Sequence, residues 1–146
     1  MTSAVAFELS RIVPMAPEQA WRRLTDWQSH GEWIPLTRVE IDAADPDHFT
    51  AWSGIGRLAL EDRMQLIEQT DHDLGRRARI AKLGPLLIGE AEFSVSEGIS
   101  SGTAVVQWRE AVAVPYLPRV LAPAAAWIGR RLFSMALGRM GRLSHR

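Results

Sequence analysis

Three ionisable side chains interrupt rows of apolar residues. In "RLALEDRMQL" (57–66), Leu58, Leu60, Met64 and Leu66 fall on every second position, the period of a half-buried strand. Asp62 stands in that row, while the interleaved Arg57, Glu61, Arg63 and Gln65 are polar, so the row with Asp62 faces inward. The same alternation puts Lys82 beside Ala78 and Ile80, opposite Arg77 and Arg79. It puts Glu110 beside Ala104, Val106, Trp108 and Val112, opposite Thr103, Gln107 and Arg109. Lys82 is the only lysine in the chain. If the hairpin between the two strands turns around His72, positions 62 and 82 are direct cross-strand partners, with Cβ atoms roughly 5 Å apart.

An ion left alone in an apolar interior costs several kcal/mol, so a buried carboxylate demands a cation or a proton. Two buried carboxylates holding one proton form an acid/base pair. A Lys–Asp pair with Glu110 beside it carries net negative charge and suits a ligand that donates hydrogen bonds. An inert, water-exposed ion pair at an open end of the sheet gives the same pattern, and Glu110 near the end of its strand can reach solvent. Asp62, Lys82 and Glu110 are therefore candidates both as catalytic groups and as polar ligand anchors.

The elements that must position this trio follow from periodicity. Residues 5–13 alternate as a strand. In "APEQAWRRLTDW" Pro17 suits a first helical turn, and Ala20, Trp21 and Leu24 line one face. "QSHGEWIP" reads as a second short helix stopped by Pro35. Strands are expected at 36–43, 48–53, 57–69, 75–83, 87–96 and 103–114, separated by turn-rich breaks such as "AADPD", "GIG" and "EGISSG". From 118 or 122 to 143 the period changes to that of one long helix. Leu121, Ala125, Ile128, Leu132, Met135 and Met140 would share its apolar stripe. Six successive antiparallel strands need a cover on one face, and this helix is the only element long enough. The expectation is a single α+β domain over 1–146.

Composition narrows the function classes. The chain has no cysteine, which excludes disulfides, thiolate nucleophiles and thiolate metal sites and fits a reducing compartment. Glu8 and Arg11 interrupt the apolar core that a signal peptide would need, and the longest apolar run, 121–128, is too short to span a bilayer. A soluble cytoplasmic protein is expected. Net charge is zero, yet residues 115–146 hold six Arg and no acid. That excess complements a helix macrodipole or offers a surface to anionic membranes; no nucleic-acid motif accompanies it. His30, His48, His72 and His145 lack metal-ligand spacing, "GIG" lacks the third glycine of a dinucleotide loop, and no serine stands in a nucleophile elbow. No metal or cofactor is expected.

The order strand, two short helices, six strands, long helix resembles the helix-grip fold of the START/Bet v 1-like superfamily. Within it the chain is most similar to the polyketide cyclase/dehydrase and lipid-transport group. The resemblance rests on Pro17, Glu18, Trp21, Asp26, Trp33 and Pro35, on "GIGRL" (54–58), and on "GTAVVQWREAV" (102–112). It implies a curved antiparallel sheet of about seven strands around the C-terminal helix, with a cavity between them for an apolar ligand. Its motifs are structural, and it supplies no universal catalytic residue. The first expectation is thus a binder of a small apolar or aromatic, polyketide- or lipid-like molecule. Trp33, Leu60, Met64, Ile80, Phe93, Trp108, Ile128, Leu132 and Met135 would line the cavity. Alternatives are a cyclase/dehydratase using the inward carboxylates and a lipid carrier docking on anionic membranes through the Arg-rich helix.

Overall fold

The computed structural model describes residues 2–55, 59–72 and 75–143. Leu58, Arg57, Gly56, His145 and the tip of the hairpin expected around His72 lie outside the described residues or reach beyond them. Strand β1 (Thr2–Val13) leads into α1 (Pro17–Thr25), a 3-10 turn (Trp27–Ser29) and α2 (His30–Trp33). Six strands follow: β2 (Thr37–Ile41), β3 (His48–Ser53), β4 (Leu60–His72), β5 (Gly75–Leu83), β6 (Ile88–Glu97) and β7 (Ala104–Pro115). Helix α3 (Ala122–Leu143) closes the chain. The seven strands form one antiparallel sheet in the order β1-β7-β6-β5-β4-β3-β2. This is the helix-grip architecture expected from the pattern of elements.

The inward rows are those that the alternation assigns. Ala104, Val106, Trp108, Glu110 and Val112 of β7 are all buried, as are Ala91, Phe93 and Val95 of β6 and Ala78, Ile80 and Lys82 of β5. At one end the centre is solid. Trp21 of α1 and Trp27 of the 3-10 turn press on Phe93, which stacks on Trp108 with ring centroids 5.3 Å apart. Trp108 in turn stacks on Phe133 of α3 at 4.8 Å, extending a ladder of aromatic rings from sheet to helix. Such rings bring large buried areas and favourable offset geometry at the same time.

The β4–β5 register departs from expectation. His72 pairs with Gly75, so the turn lies beyond His72, and a bulge between Leu66 and Glu68 adds one residue to β4. Lys82 is thereby set opposite Met64, and Asp62 opposite Ala51 of β3. Because the turn displacement and the bulge together shift pairing by an even number of residues, both side chains keep to the inner face. Lys82 meets Asp62 diagonally, a span within reach of a long side chain.

The buried face of α3 also departs from expectation. Ala136, Leu137, Met140 and Gly141 are buried, whereas Ile128 and Met135 are 57% and 63% exposed. The reason is close approach to β1. A Cβ on Gly129 would stand 2.7 Å from the Phe7 ring, and one on Gly138 would stand 2.5 Å from the Arg11 guanidinium. Helix and strand are further tied by Arg11, whose Nη1 donates to the Ser134 carbonyl at 2.6 Å and meets its hydroxyl at 3.2 Å. Small residues thus choose the contact face, and the bulkier apolar row beside them is left outside. The first half of α3 is the thinly covered half, with Trp127 and Ile128 exposed.

Candidate functional site

Between the sheet, α2 and α3 lies a cavity of about 170 Å³. Its floor is made possible by small residues. Ala51 of β3 stands across from Asp62, and Ala91 of β6 lies between Ile80 and Glu110. Gly89, the partner of Lys82 on β6, lies so close to β7 that a Cβ there would run into the Ala111 carbonyl. Further along β6 the small residues give way to Phe93 and Val95, and there the interior is filled.

The three ionisable residues singled out in the sequence all line this cavity. Lys82 Nζ donates to Asp62 Oδ2, approaches Met64 Sδ at 3.4 Å, and lies 3.9 Å from Glu110 Oε1. The indole N–H of Trp108 donates to Glu110 Oε1 at 3.3 Å. Asp62 Oδ1 is buried and has no hydrogen-bond partner. Burial alone would pull the Lys82 ammonium down, but Glu110 and Asp62 outweigh it and hold its pKa above the ordinary lysine value. The amine is therefore a fixed cation. It is a poor Schiff-base nucleophile and a good hydrogen-bond donor.

Of the expected apolar lining, Leu60, Met64, Ile80, Trp108 and Leu132 are on the wall. Leu60 is 58% and Leu132 41% exposed, which marks the side on which the cavity opens. Four expected residues stand off it. Trp33 and Phe93 are wholly buried one layer behind, Trp33 against the His30 ring at 4.8 Å and Phe93 within the aromatic ladder. Ile128 and Met135 turn to the outside because the glycine-bearing side of α3 takes the contact.

Residues not anticipated complete the wall: His30, Ile34, Val39, Phe49, Ala51, Leu87, Ala91 and Phe133, with the hydroxyl-bearing Thr37 and Ser53 near the opening. The buried apolar positions of β2 and β3 carry a signal in their alternation, since Val39, Phe49 and Ala51 are inward while their neighbours are not. His30 carries none in the sequence. Its Nε2 lies 2.7 Å from the Leu24 carbonyl, so the neutral ring donates there. Burial lowers its pKa to about 4, against smaller opposing effects of the Leu24 hydrogen bond and Asp26.

Residues 4–144 match the family described as "Polyketide cyclase / dehydrase and lipid transport". The chain belongs to that family. Solved structures give the same fold at low identity. A START superfamily protein from Mycobacterium smegmatis is 12% identical, with a TM-score of 0.78 over 94% of this chain and 97% of that one. The protein XoxI from Bacillus cereus is 15% identical, with a TM-score of 0.75 over 95% and 94%. The Zhui aromatase/cyclase from a Streptomyces species is 11% identical, with a TM-score of 0.72 over 98% and 96%. No curated protein matches the sequence. This member of the polyketide cyclase/dehydrase and lipid-transport family shares its fold with those solved structures. No helix among the described residues is long and apolar enough to cross a membrane.

Proposed function

We propose that this family member binds one small apolar or aromatic molecule in the cavity between sheet and α3, its polar end held by Asp62, Lys82 and Glu110. The observation that carries this reading is Asp62 Oδ1, a buried acceptor without a partner on the wall of a largely apolar cavity. A buried polar atom left unsatisfied costs roughly 1–3 kcal/mol, and a ligand that supplies the missing donor recovers it.

Volume supports a small occupant. A dry cavity of about 150 Å³ accommodates a benzene molecule, and pockets for drug-sized ligands span roughly 300–1,000 Å³. At about 170 Å³ the space between the walls suits a body of one or two rings. A polyketide chain destined for several rings, or a two-tailed lipid, would extend far through the opening.

Two measurements test the reading. Native mass spectrometry of freshly purified protein should find a co-purified small molecule of matching size. A ligand so identified should bind Asp62→Asn about tenfold more weakly, the equivalent of roughly 1.4 kcal/mol. Equal affinity in the variant would remove the anchor. Retention of full binding after the cavity is filled by Ala91→Phe, in a chain that still folds, would remove the cavity itself as the site.

A further inference from the structure

Resting on that binding reading, we propose that the cavity selects a cationic aromatic ligand: a protonated amine on an apolar body of one or two rings, its ammonium directed at Asp62 and Glu110. Four ionisable side chains line the cavity among the described residues, namely His30, Asp62, Lys82 and Glu110, and none of them is arginine. His30, buried with its Nε2–H on the Leu24 carbonyl, is held neutral by that burial. Setting Lys82 against the two carboxylates leaves one negative charge uncompensated.

The nitrogen donors beside the carboxylates are already engaged with them. The Lys82 ammonium donates to Asp62 Oδ2, reaches Met64 Sδ and stands in ion-pair range of Glu110 Oε1 at 3.9 Å, and the Trp108 indole donates to Glu110 Oε1. Asp62 Oδ1 remains without a donor. A ligand hydroxyl would satisfy that oxygen and leave the charge. A ligand carboxylate would add a second unbalanced charge and no donor. An ammonium brings both what is missing, three donors and one positive charge. The rings of Phe49, Trp108 and Phe133 on the same wall, stacked on one another or on rings behind them, offer apolar surface to the ligand's aromatic body.

The test is a matched series with one ring and three head groups: phenethylamine, phenethyl alcohol and hydrocinnamate, titrated calorimetrically at neutral pH. A charge-assisted hydrogen bond exceeds a neutral one enough to make the amine about tenfold tighter than the alcohol, with the carboxylate weakest. Asp62→Asn, nearly isosteric, should bring amine and alcohol to within about threefold of each other, because the added charge then has no unbalanced partner. Lys82→Met should widen the preference for the amine, a change that a merely weakened fold would not produce. Alcohol or carboxylate binding as tightly as the amine overturns the cationic ligand while the cavity reading stands, and so does a preference that persists in Asp62→Asn. Failure of all three compounds to bind overturns the cationic ligand, and an amine that binds Ala91→Phe as tightly as the native chain overturns both.

Discussion

Two side chains on the cavity wall make opposite demands on solution conditions. His30 is neutral in the fold with a pKa near 4, against about 6.5 when unfolded. Between those values the unfolded chain binds the additional proton, so stability falls as pH drops from about 6.5 towards 4. The shift is worth about 3 kcal/mol at most. Denaturation midpoints measured across that interval should fall more steeply for the native chain than for His30→Gln. Parallel curves for the two proteins would mean that another group carries the dependence. Lys82 works in the other direction: its pKa is raised, so its contribution is complete below the ordinary lysine value and disappears only in strong alkali. Replacing it with Met leaves Asp62 and Glu110 buried together without a cation. The loss expected from breaking such a buried pair is roughly 3–5 kcal/mol, measured by denaturant unfolding at neutral pH.

Strand faces were readable because a two-residue period tolerates no ambiguity over five positions. Ala104, Val106, Trp108, Glu110 and Val112 could hardly have pointed anywhere else. Pairing between strands was not readable. The bulge beside Ile67 adds a residue with no polar or glycine signature, and the turn lies past His72 rather than around it. The trio still meets, since a lysine is long enough to absorb a diagonal step. The face of α3 was misjudged for a different reason. Large apolar residues occur around much of the helix, so their spacing selects no side, and contact with β1 is decided by glycines whose value lies in what they lack. Gly129→Ala tests that. In a free helix the change is worth about 1 kcal/mol in favour of Ala. Here the methyl meets the Phe7 ring, itself stacked on Phe133 at 5.7 Å, and overpacking costs roughly 1–3 kcal/mol. A net loss of about 1 kcal/mol is expected in denaturant unfolding, and a gain would mean that helix and strand separate at no cost.

At the scale of the whole molecule, the interior is graded rather than uniform. Aromatic rings and β-branched residues fill the end under α1, and Ala51 and Ala91 leave the other end hollow around the charged trio. Identity of around 12–15% with proteins of the same fold is consistent with that division, since a volume pattern can be kept with few shared residues. The helix spanning both ends inherits the gradient. Its second half is clamped by Ala136, Leu137, Met140 and the Arg11 bonds, and its first half carries Trp127 and Ile128 in the open. Deuterium should therefore replace the amide hydrogens of residues 122–130 well before those of 134–141. A small molecule would then enter through transient fraying of the segment nearest Leu132, and its arrival should slow that early deuterium uptake while leaving the clamped turns as they were.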